Sequence, residues 1–116
     1  MPKDSKFNEQ KFYLRMEEVR EKIEKHFGQL YGQIDIRILT IEQIQFLKDV
    51  LIWGTYGLDG LQPLKVILLK DADTDHLEMI LYTQSDISPI FRKVIHCILM
   101  ERQQEKWVKS LSQFTT

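Results

Sequence analysis

The sequence predicts an α+β fold, a small three-stranded mixed sheet with helices packed on it in the order α-β-α-β-β-α. Three observations carry that expectation. Apolar residues recur with the helical period over residues 8–27. They alternate with polar ones over 34–38, as in a half-buried strand. Two short apolar runs, 64–69 and 77–83, flank a polar stretch as the arms of a hairpin would.

The first helix rests on Phe12, Met16, Val19, Ile23 and Phe27, whose spacing of four, three, four and four holds one face apolar. Glu18 with Lys22 and Glu21 with Lys25 place acid before base on its other faces. Gly28 and Gly32 bracket its end. In the next segment Ile34, Ile36 and Ile38 alternate with Asp35 and Arg37, which predicts the first strand. Thr40 followed three residues later by Gln43 is a capping box, and Ile44, Leu47, Val50 and Leu51 behind it predict a second helix running to about Trp53.

Gly54, Gly57, Gly60 and Pro63 then read as a connector. Leu64–Leu69 and Leu77–Thr83 are the expected second and third strands, joined by a turn over 70–76. The first and second strands would be parallel across a right-handed crossover, the third antiparallel to the second. Ser88-Pro89 supplies a cap and a first-turn proline for a last helix reaching about Leu111. Ile90, Phe91, Val94, Ile95 and Ile98 lie around so much of that helix that they are expected to be buried.

A chain of 116 residues is long enough for one core, so residues 1–116 are expected to form a single globular domain, with 1–7 and 115–116 frayed. Sixteen basic side chains against seventeen acidic ones give none of the basic excess of a dedicated nucleic-acid binder. Cys97 is the single cysteine, which rules out an internal disulfide and fits a reducing, cytoplasmic setting. The N-terminal residues lack the apolar stretch of a secretory signal, and no apolar run approaches the roughly 18 residues of a membrane span.

The candidate chemical motifs are incomplete. Asp71, Asp73 and Asp75 match the opening of a calcium loop, but His76 stands where its glycine belongs and Tyr82 where its bidentate glutamate belongs. The glycines of 54–60 leave a helix and enter a strand, the reverse of a phosphate loop. His26, His76 and His96 fall in three separate elements, and His96 points about 100° away from its neighbour Cys97 on a helix, a poor dyad. No metal or cofactor is expected.

The favoured function is therefore a non-catalytic protein-binding or regulatory module acting through its amphipathic terminal helices, with another protein or a second copy of the chain as partner. Its candidate partner-binding residues are Trp53 and Tyr56 in the connector, together with Trp107, Leu111 and Phe114. The last three recur at i, i+4 and i+7 beyond the polar run 101–106, a pattern suited to a helix laid in a groove. A small enzyme, or enzyme subunit, with a site assembled from scattered polar residues such as His76, Asp73 and Tyr56 is the alternative. Nucleic-acid association through Arg92, Lys93, Arg102, Lys106 and Lys109 ranks third.

Overall fold

The computed structural model describes residues 4–57 and 60–114, with the side chains of 8–57 and 60–111. The described residues form four α-helices and one two-stranded sheet: α1 (Asp4–Phe27), α2 (Ile41–Val50), β1 (Ile52–Thr55), β2 (Lys65–Leu68), α3 (Thr74–Thr83) and α4 (Pro89–Phe114). The chain divides into two compact units, Met1–Asp71 and Ala72–Thr116.

In the first unit α1 keeps the expected apolar face, with Ile23 buried and Phe12, Met16, Val19 and Phe27 half-buried. Gly28 ends it in the left-handed region at φ 67°, where the absence of a Cβ removes the strain, and its N–H donates to the Glu24 carbonyl. The capping box is present in full: Gln43 N–H donates to Thr40 Oγ1, and Thr40 N–H donates to Gln43 Oε1. Behind it, Leu47 is buried on α2. The imidazole of His26 stacks on the Phe46 ring at 3.8 Å between centroids, tying the end of α1 to α2.

The expected three-stranded mixed sheet is not formed. The sheet has two strands, β1 and β2, paired antiparallel with Ile52 opposite Leu68 and Thr55 opposite Lys65. Three local readings change with it. Residues 34–38 are a loop ending in the 3-10 turn Ile36–Ile38, with Ile38 74% exposed. The cause is local. Asp35 Oδ1 accepts from the Arg37 N–H at 2.9 Å and from Arg37 Nε, while Oδ2 accepts from Nη2, and this side-chain bonding curls the backbone away from an extended ladder.

The second helix stops at Val50 rather than near Trp53. Ile52–Thr55 is instead extended, because β2 offers it a ladder and Trp53 sits opposite Ile67 as an aromatic and β-branched cross-strand pair. Residues 77–83 are helical rather than a strand. Leu77 and Ile80 are buried while Tyr82 is 89% exposed, the three-residue spacing of a helix with one face inward.

Gly54 fixes how closely α1 approaches the sheet. A Cβ at that position would lie 3.0 Å from Leu64 Cδ1 and 3.2 Å from Phe12 Cε2, so the bare glycine leaves room for the Phe12 ring over β1. On the other side, Lys70 Nζ meets Asp49 Oδ1 at 3.1 Å and holds the 3-10 turn Leu69–Asp71 against α2.

In the second unit α3 packs against α4, joined by the five residues 84–88 as an antiparallel helical hairpin. Pro89 opens α4 as expected, and the Arg92 N–H donates to the Ser88 carbonyl. Ile90, Phe91, Val94, Ile95 and Ile98 are all buried.

Two expectations follow. Gly54→Val should destabilise the protein by ~1–3 kcal/mol in chemical denaturation, because the added branches overpack the Phe12–Leu64 contact. Arg37 holds the Asp35 carboxyl down to about 2, chiefly through the side-chain hydrogen bonds. A carboxylate depressed in the folded chain contributes stability above its ordinary value of 3.8 and loses that contribution as pH falls toward 2. An NMR titration should place the Asp35 midpoint near 2, and Arg37→Gln should return it toward 3.8.

Candidate functional site

The sequence candidates fall into two groups, one in each unit. Trp53 and Tyr56 belong to the first unit and are both half-buried. Trp53 is a strand residue rather than part of a connector. The Tyr56 hydroxyl donates to Glu9 Oε1 at 2.8 Å, which raises its pKa above the ordinary tyrosine value and ties the end of β1 to α1. Between the strands, Gly57 and Gly60 take positive φ and the Gln62 N–H donates to the Tyr56 carbonyl, so the connector is a hydrogen-bonded loop. A shallow hollow beside it is lined by Thr55, Gly57, Gln62, Pro63, Leu64 and Lys65, which among the described residues supply no acid–base pair.

The second unit is built differently, because its two helices have unequal lengths. α3 has 10 residues and α4 has 26. Arg102 marks the level at which α3 begins: its Nη2 donates to the Ala72 carbonyl at 2.8 Å and its Nη1 to Thr74 Oγ1 at 3.0 Å. A guanidinium at that point satisfies backbone at the start of α3 and closes that end of the hairpin. From residue 103 to residue 111 every side chain of α4 is exposed. Twelve residues from 103 to the helix end at Phe114 extend roughly 18 Å at 1.5 Å per residue.

This exposed length carries Trp107, which is 67% exposed, and Leu111, which is 45% exposed, with Val108 also open. Phe114 is in the helix, but its side chain lies outside the described residues. Met100, 62% exposed, joins the stripe, and Met100, Gln103, Gln104 and Trp107 line one shallow groove along the helix. Met100 and Gln104 were missed by reading the sequence, because Gln104 sits inside the polar run. The signal was the spacing Met100, Gln104, Trp107, Leu111.

The other candidate chemistry is not assembled. Asp71 ends a 3-10 turn, Asp73 precedes α3 and Asp75 lies in its first turn, all exposed. An acid in a first helical turn is favourable to the helix dipole without any cation. No group of three or more metal-ligating side chains occurs among the described residues. Cys97 is half-buried and His96 exposed on α4. Of the basic residues on that helix, Arg102 is committed to α3, while Glu101 and Glu105 interleave with Lys106 and Lys109. No helix among the described residues is long and apolar enough to cross a membrane.

Comparison with protein-family models, curated proteins and solved structures finds no match to this chain. The functional reading accordingly rests on the residues themselves.

Arg102→Ala should cost about 1.5–3 kcal/mol, the range for hydrogen bonds to a charged group. Hydrogen exchange should show the loss first in the amides at the start of α3. Arg102→Lys, with a single ammonium in place of the fork, should restore only part of it.

Proposed function

We propose that this chain is a non-catalytic protein-binding module, and that the exposed C-terminal part of α4 is the element it offers to a partner. The observation that carries the reading is the run of about two and a half helical turns, residues 103–111, with every side chain exposed and Trp107 and Leu111 on one stripe. As an extension of a packed helix this segment is already nucleated, and burying its apolar face against a partner would add to its stability. Large aromatic side chains such as tryptophan supply much of the energy when such a face docks. The helix-in-groove mode suits this spacing, with anchors at i and i+4.

Trp53 and Tyr56 take a supporting part in this reading, since both are half-buried and Tyr56 is held by Glu9. Enzymatic and nucleic-acid readings receive less support. Asp73 and His76 stand near the start of α3 with no cluster of three metal-ligating groups among the described residues, and of the basic residues of α4 Arg102 is committed to α3 while Glu101 and Glu105 flank it and Lys106. With one cysteine and no disulfide to form internally, the module suits a reducing compartment.

Binding and folding should separate in this tail. Trp107→Ala combined with Leu111→Ala should keep the thermal midpoint within about 3 °C of the parent, since exposed side chains contribute only about 0.5 kcal/mol to folding. A photo-reactive side chain placed at Val108 should give a discrete protein adduct in the source cell, and the double substitution should abolish it. Unfolding of the double variant would mean that the tail belongs to the core.

A further inference from the structure

The stripe on α4 contains one polar residue whose chemistry selects a partner. Met100, Gln104, Trp107 and Leu111 are spaced four, three and four, the 3.5-residue period of a two-helix seam. At about 100° per residue each of them lies roughly opposite Arg102 on the helix, and Arg102 is the residue that holds α3. The seam therefore faces away from the helix that α4 already packs against. Resting on the protein-binding reading above, we infer that the partner of this seam is a second copy of the same chain, its α4 lying parallel and in register, with Gln104 facing its counterpart.

Gln104 decides between occupants. In a purely apolar groove its amide would lose water and gain no hydrogen bond, a loss of the kind that costs more than the burial of its stem returns. Facing its own copy, the N–H of each amide meets the carbonyl oxygen of the other, and a single polar residue at such a position fixes register and stoichiometry. An antiparallel copy would instead set Gln104 opposite Trp107, whose indole N–H can donate to the amide oxygen but cannot accept, so the amide N–H groups would go unpaired, whereas two facing amides satisfy both donor and acceptor.

The flanks agree with self-pairing. The positions beside the seam are Glu101, Gln103, Val108 and Ser110, so two copies bring no row of like charges together, and parallel pairing sets Gln103 against Val108. The contact spans about two heptads, which places it among small, reversible interfaces.

Sedimentation equilibrium of the full chain tests the inference. It should show a monomer–dimer equilibrium with half-association at roughly 10–100 µM, the weak range expected of so short a seam. Gln104→Lys should leave a monomer. Gln104→Leu should associate at least tenfold more tightly and lose strict dimer stoichiometry, because the register-setting amide is gone. For orientation, Gln104→Cys in a Cys97→Ser background should oxidise to a symmetric disulfide dimer only if the two positions face each other.

A parent chain that stays monomeric to ~500 µM, well above that weak range, overturns self-pairing. So does a dimer that Gln104→Lys leaves intact, or one in which the Gln104→Cys thiols fail to couple. If Trp107→Ala/Leu111→Ala is folded in those cases, the protein-binding reading stands with a different partner. If that variant is unfolded, both readings fail together.

Discussion

A ten-residue helix spans roughly 15 Å and a twenty-six-residue helix roughly 39 Å, so α3 leaves much of α4 without a neighbour in its own hairpin. The exposed end of α4 follows from that mismatch. Where α3 and α4 run together, Leu77, Ile80, Ile90, Phe91, Val94, Ile95 and Ile98 are buried. Arg102 then uses its fork on Ala72 and Thr74 and ends the hairpin. Beyond it the helix continues on backbone hydrogen bonds already nucleated by the packed part, which makes extension far less costly than starting a helix afresh. The same helix thus serves as core at one end and as exposed surface at the other.

The first unit meets a different constraint, since a two-stranded hairpin is marginal alone and needs a helix against it. α1 provides that cover, and the absence of a side chain at Gly54 lets Phe12 come down onto β1. Tyr56 reaches Glu9 at one end of α1, and His26 stacks on Phe46 at the other. These contacts commit Tyr56, Glu9 and His26 to holding α1 in place. The hairpin's short strands also leave little open edge for unintended pairing.

Taken together, the polar chemistry of the described residues serves capping and clamping. Asp35 holds a turn, Asp49 and Lys70 fasten a 3-10 turn to α2, and Arg102 anchors the start of α3. The large apolar groups left outside these arrangements include Met100, Trp107 and Leu111, and they share one stripe. Surface apolar residues scattered singly are ordinary, whereas aligned ones on an otherwise uncovered helix are the feature that points to association. Gln104 lies within the same stripe.

The elements legible from residues alone were those whose signals are local and strongly periodic. Thr40 and Gln43 specify the start of α2 by a reciprocal hydrogen bond, Ser88-Pro89 opens α4, and the Phe12-to-Phe27 stripe marks α1, because each depends on neighbours within a few residues. Burial of the Ile90-to-Ile98 face was legible for the same reason. The errors occurred where the local signal was ambiguous or was overruled. Ile34, Ile36 and Ile38 alternate like a strand, yet the Asp35–Arg37 bonds curl that backbone. Leu77–Thr83 is too short and too apolar for its period to distinguish strand from helix. Ile52 and Trp53 read as the end of the second helix and Gly54 onward as a connector, and Ile52–Thr55 becomes β1 only because β2 is present to pair with it. The tail shows the same division: the spacing of Trp107 and Leu111 was in the sequence, but their exposure was decided by where α3 begins, a tertiary fact expressed through Arg102.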